Sequence, residues 1–194
     1  MIRNEKYTHL GKRDDIMRSK KQEELINTFL MSAENEAFPL YLEIIDCLEE
    51  FGYYPHKLKS NITFKHDSHN KQIAKMGIKN NKERSAFFAL RFSACRGYSA
   101  RFADIVRQYV TRYPARSARC TDGVCNYCAG DPDTHVYIYE SPDGRTVKHC
   151  GAYAVEITNI AAGDMAEIKN LIAEEHAYLM KHQAGVDIDS IDAD

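Results

Sequence analysis

The chain has 194 residues, 44% of them hydrophobic, with 26 Lys or Arg, 28 Asp or Glu and a net charge of −2. That is length and apolar material for one well-buried core, or one core with a small appended lobe. It excludes a membrane-spanning helix, since no apolar run approaches the ~20 residues one needs. The N-terminal MIRNEKYTHLGKRDDIM has no apolar stretch like a secretory leader, so a cytosolic protein is expected.

Residues 1–17 are polar and aperiodic, and are expected to form a flexible tail. Leu25, Ile26, Phe29 and Leu30 recur at helical spacing and predict a first helix over 19–33. A second helix begins near Pro39, whose missing N–H costs nothing in a first turn. It buries Leu40, Tyr41, Ile44, Ile45, Leu48 and Phe51 and stops at Gly52. Three alternating segments, 61–66, 72–79 and 85–95, then predict an antiparallel meander. One face carries Ile62, Phe64, Met76, Phe88, Leu90 and Phe92; the other carries Thr63, Lys65, Lys75, Lys79, Ala89, Arg91 and Ser93.

Ser99 suits the cap of a third helix that Pro114 ends. A hairpin follows, 135–140 and 145–150, around Ser141-Pro142-Asp143-Gly144. A further strand spans 152–158. Asp164, with Glu167 three residues on, opens a last helix reaching about residue 182. The acidic tail 184–194 is expected to be disordered. Helices and strands do not alternate regularly, so the expected fold is α+β. Its antiparallel sheet is a three-strand meander plus the C-terminal hairpin and strand, packed by N-terminal, middle and C-terminal helices. The pattern predicts a single domain over 18–183, with a zinc-knuckle and hairpin insert at about 115–151.

Six cysteines in a reducing compartment point to metal or packing before disulfides. Cys120, Cys125, Cys128 and Cys150 have the spacing C-x4-C-x2-C-x21-C. The Cys125–Cys128 pair reads as a metal knuckle, and the hairpin in the long gap returns Cys150 towards it. Four thiolates make the closed tetrahedral shell of a structural zinc ion, with no open position for water. Arg112, Arg116 and Arg119 would offset its negative charge, and His149 or His135 could replace one cysteine. Disulfide or redox use of Cys125 and Cys128 is one alternative, but that chemistry sits where a strand feeds a helix; unbound core or surface cysteines are the other.

The small net charge hides a split. Residues 57–119 carry 15 basic and 3 acidic residues, a net of +12, whereas 120–194 carry 4 and 14, a net of −10. Such a split means either an anionic partner for the middle or pairing between segments. The segment 91–102 interleaves arginines with aromatics, but Phe92 and Phe102 fall on buried faces. Lys65, Lys75, Lys79, Arg91, Arg96 and Arg101 remain as a cationic face, either simply solvated or able to hold an anion or a phosphate backbone.

No hydrolase elbow, zinc-protease helix, phosphate loop or dinucleotide fingerprint is present. Cys47 reads as core. Cys95 precedes a helix N-terminus, where a thiol can be acidified, but burial there would leave it inert. His56, His66 and His69, beside Asp67, fall at strand ends and turns where exposed polar residues are ordinary. His176 has no matched partner on its helix. The strings LEEFGYYPHK, IAKMGIK, FFALRFSACRGYSARF, CNYC and HCGAYAVEI together resemble a family of small cytosolic proteins from anaerobic Gram-positive bacteria. The resemblance spans about residues 40–180 and implies no activity.

The reading that results is a zinc-stabilised binding protein whose cationic sheet face takes an anionic ligand, nucleic acid or a small metabolite, with no membrane partner. Its rivals are an assembly module that mates the basic middle of one chain with the acidic third of another, and an enzyme built on Cys95 or a histidine.

Overall fold

The first helix starts where a reciprocal cap can close. Gln22 N–H donates to Ser19 Oγ (3.3 Å) and Ser19 N–H to Gln22 Oε1 (2.8 Å), opening α1 (Lys20–Ser32). α2 (Phe38–Glu50) has its proline in the first turn and ends before Gly52, which takes φ +79°. The chain then enters β1 (Tyr53–Leu58), β2 (Asn61–His66), β3 (Gln72–Ile78) and β4 (Ala86–Leu90), the last followed by α3 (Ala100–Arg112). Ser99 caps α3 by accepting from Phe102 N–H at 3.4 Å. The hairpin β5 (Val136–Glu140) and β6 (Thr146–Cys150), the short β7 (Val155–Ile157) and α4 (Met165–Lys181) complete the order. This computed structural model describes residues 18–33, 37–79, 85–95, 97–114, 136–140 and 144–181.

The fold is α+β, with four α-helices among the described residues and a five-stranded antiparallel sheet in the order β1-β2-β3-β4-β7. Register rows such as Pro55, Phe64, Ala74, Leu90, Val155 line up buried side chains on the face that the helices α1, α2 and α4 cover. α1 packs on β1 and β3, α2 on β1, and α4 on α2 and β3, so the apolar stripes of three helices meet there. The buried side chains of α1, α2, α3, α4, the sheet and Tyr137 form one contiguous cluster. By area, each fully buried Ile, Leu or Phe of that cluster contributes roughly 1.5–3 kcal/mol of transfer free energy.

Three expectations need correction. The meander has a fourth strand, β1, which YYPHKL hid because Pro55 breaks the pattern. At a sheet edge a proline forfeits no ladder bond that the sheet needs. The predicted strand 85–95 stops at Leu90, because the backbone beyond it turns to meet α4: Ala94 N–H donates to Glu175 Oε2 at 3.0 Å. Finally, the hairpin does not join the main sheet. β5 and β6 form their own two-stranded sheet, tied to the core through Tyr137, whose hydroxyl accepts from Phe92 N–H (3.3 Å) and donates to the Tyr153 carbonyl (3.3 Å). The zinc-knuckle loop and both tails lie outside the described residues. No described helix is long and apolar enough to cross a membrane.

Candidate functional site

The fold disperses most of the expected cationic face. Arg91 is buried beneath α4, its Nε 2.7 Å from Glu175 Oε1. Arg101 is pinned by Asp164 (2.8 Å from Nε, 3.0 Å from Nη2) and donates to the carbonyls of Thr158 (2.9 Å) and Asn159 (3.0 Å). Lys79 pairs with Glu156. Arg96 lies outside the described residues. Of the six, Lys65 and Lys75 have no carboxylate partner among the described residues. Their face also carries Thr63 and Ala89, both buried, and Phe87, so it is a mixed surface.

Lys75 faces a concavity. A cleft of about 550 Å³ lies between the outer sheet face, α3 and the segment before β7. Lys75, Phe87 and Ala89 form its floor; Tyr109, Arg112 and Tyr113 line the α3 side, and Tyr153 the rim. Lys75 Nζ sits 5.5 Å from the centre of the Phe87 ring, and the Arg112 guanidinium 5.4 Å from that of Tyr113. Both cations therefore already lie near aromatic rings, and Glu156 in the same lining is held by Lys79. Arg112 belongs to this site, whereas the sequence reading gave it to the cysteine cluster. A second groove, about 850 Å³, separates α1 from the β1–β2 hairpin and is lined in part by Lys21, Lys57 and Lys59.

Two of the three described thiols, Cys47 and Cys95, are buried. Cys95 is buried, with Sγ donating to the Leu171 carbonyl at 3.6 Å. Burial on α2 pushes the Cys47 thiol up to about 11. Of the expected zinc ligands only Cys150 is described; it is half-buried at the open end of the hairpin, opposite Val136. His149 points to the other face of β6, where its ring meets Tyr109 edge-on at 5.3 Å. The remaining cysteines of the cluster and His135 lie outside the described residues.

The histidines are where the structure departs furthest from expectation. His66, at the end of β2, and His69, in the next turn, stack face to face, with centroids 4.1 Å apart and planes at 5°. His176 of α4 joins them, 5.7 Å from His66, and its Nδ1 lies 3.3 Å from the Tyr53 hydroxyl. Tyr53 is fully buried and meets all three rings edge-on. His56 is exposed and takes no part. Burial, then the neighbouring His66, lower His69 to about 4, and the same causes lower His176. The stacked rings do not form a coordination shell: among the described residues no group of three or more His, Cys, Asp or Glu is arranged to hold a metal. The i, i+3 spacing of His66 and His69 was visible in sequence; the partner 107 residues later on α4 was not.

No family model matches the sequence, and no similar curated protein or solved structure was found.

Proposed function

We propose that this is a binding protein for a small anionic ligand carrying a flat ring, held in the cleft between the outer sheet face and α3. The carrying observation is that Lys75 and Arg112 line the same cleft, each beside an aromatic ring. About 550 Å³ is within the usual range for a small-molecule site. Two cations suit a phosphate or carboxylate, and the rings offer a stacking surface for the planar part. Single-stranded nucleic acid would present the same chemistry repeatedly, so length dependence separates the two ligands.

The test is titration calorimetry with a mononucleoside triphosphate, inorganic triphosphate and a ten-nucleotide single strand, for the wild type, Lys75→Ala and Arg112→Ala. The expected result is mononucleotide binding that weakens at least tenfold in either variant. Equal affinity in wild type and both variants would remove the cleft. A gain confined to the oligonucleotide would move the reading to nucleic acid.

A structural zinc ion on Cys120, Cys125, Cys128 and Cys150 belongs to the same proposal. It is supported by the spacing and by the pairing of Cys150 with Val136, where the chain arrives from the other three cysteines. The groove beside α1 favours a second reading, assembly: Lys21, Lys57 and Lys59 have no carboxylate partner among the described residues, and the C-terminal third is strongly acidic. Self-association that collapses with salt, without any nucleotide affinity, would favour it.

A further inference from the structure

We propose that His66, His69 and His176 form an acid-sensitive latch, which fastens the β2–β3 turn and the C-terminal half of α4 to the start of β1 and releases both when the cluster is protonated.

The latch rests first on which nitrogens are already in use. Ser68 N–H donates to His66 Nδ1 at 3.2 Å, with the Ser68 hydroxyl 2.9 Å from the same atom. Two residues on, Lys71 N–H donates to His69 Nδ1 at 3.1 Å. A neutral imidazole that accepts at Nδ1 carries its hydrogen on Nε2, so an incoming proton must go to Nδ1. In both rings that converts an acceptor of a backbone N–H into a second donor facing it. Acid therefore removes two hydrogen bonds that shape the turn. His69 Nε2 is already buried without a hydrogen-bond partner.

The second support is the scarcity of compensating charge. From β1 the cluster is faced by Tyr53, whose phenol burial keeps neutral. From the turn it is faced by Asp67 and Lys71. Asp67 Oδ1 lies 3.4 Å from His66 Nδ1 and is well exposed, so it can answer one proton; Lys71 opposes any. From α4, Glu175 adjoins His176 in sequence but is turned into the core against Arg91. The end of α2 contributes the Phe51 ring, 4.8 Å from His176. Two imidazolium ions in rings stacked at 4.1 Å would repel with no second anion between them.

The third is position. Gly52 at φ +79° passes under the cluster, where an ideal Cβ would lie 3.1 Å from His66 Nε2. Asp67 N–H donates to the Gly52 carbonyl at 3.2 Å. The rings are thus enclosed between the α2–β1 corner, the turn and α4, and cannot separate without moving one of them.

Hydrogen–deuterium exchange of the full chain, purified with whatever metal it carries and without chelator, tests the latch at pH 7.5 and pH 5.0 after correction for intrinsic rates. Peptides over 66–72 and 174–181 should exchange at least tenfold faster at pH 5.0, while those over α3 stay unchanged. His69→Phe, which retains the stack without the titrating nitrogens, should lose most of that acceleration. No acceleration in the wild type, or the same acceleration in His69→Phe, would overturn the latch. Should His69→Phe fail to fold, ring-proton NMR of the wild type decides. His69 and His176 titrating below 6.5 together with loss of the turn's amide shifts supports it; independent titration near 6.5 overturns it.

Discussion

Glu175 is a carboxyl with essentially no solvent contact, and its neighbours determine what that burial costs. Burial raises its pKa, while Arg91, the Ala94 N–H and Ser93 pull it back. Removing one member of such a pair leaves an unanswered buried charge, typically about 3–5 kcal/mol. Arg91→Ala should therefore lower the unfolding free energy by about 3–5 kcal/mol at pH 7, measured by urea denaturation. Lys75→Ala, on the partly exposed face, should stay within about 0.5 kcal/mol. The sign of the pH dependence follows from the raised value. The stabilising contribution of Glu175 is fully present below the ordinary carboxylate value of 4.5 and is lost as pH rises through its raised one. The penalty of Arg91→Ala should accordingly shrink at pH 4.5, where a protonated carboxyl needs no partner. None of this was legible locally. Alternation put Arg91 on a solvent face because the strand was read through to 95, and nothing near Arg91 announces an acid 84 residues later.

Helices were legible in sequence because their signals are local. Ser19 with Gln22, Pro39 and Ser99 each mark a first turn within three or four residues of the groups they satisfy. Strands β2 and β3 were legible for the same reason, since alternation is a property of neighbours. Pairing partners were not: β4 finds β7 rather than the hairpin, with Leu90 opposite Val155, 65 residues later, and Phe88 opposite Ile157. The strongest test of an element boundary is Gly52. Gly52 and Gly144 both take φ +79°, but a Cβ at Gly144 meets nothing within 4 Å, whereas at Gly52 it meets the His66 ring. Gly52→Ala should cost about 1–3 kcal/mol from backbone strain plus ring displacement. Gly144→Ala should cost less, and the difference in melting temperature between the two variants checks it.

At the scale of the molecule, the charge split was plain in the sequence, and its use was not. Lys79–Glu156, Arg91–Glu175 and Arg101–Asp164 each run from the basic middle to the acidic C-terminal third. Part of the asymmetry is thus internal pairing, and among the described residues Lys65, the two cations of the cleft and the lysines beside α1 are left for a ligand. The proposed zinc ion is the other long-range tie. Protein purified without added zinc should carry about one equivalent by elemental analysis, and Cys128→Ser should lose the metal and unfold the hairpin lobe. Metal content below about 0.3 equivalents, with folding of Cys128→Ser unchanged, would count decisively against it.

The same three ion pairs bear on the order in which the chain is made. Ribosomal synthesis delivers the N-terminal end first. When residue 119 has just been made, β4 has no β7 beside it, Arg91 has no Glu175, and the net +12 of the middle is met only by the net −4 of residues 1–56. The sheet edge and the guanidinium can be covered only after residues 155–175 emerge. Closure of the sheet edge thus waits for residues 155–175, well after the basic middle has been made.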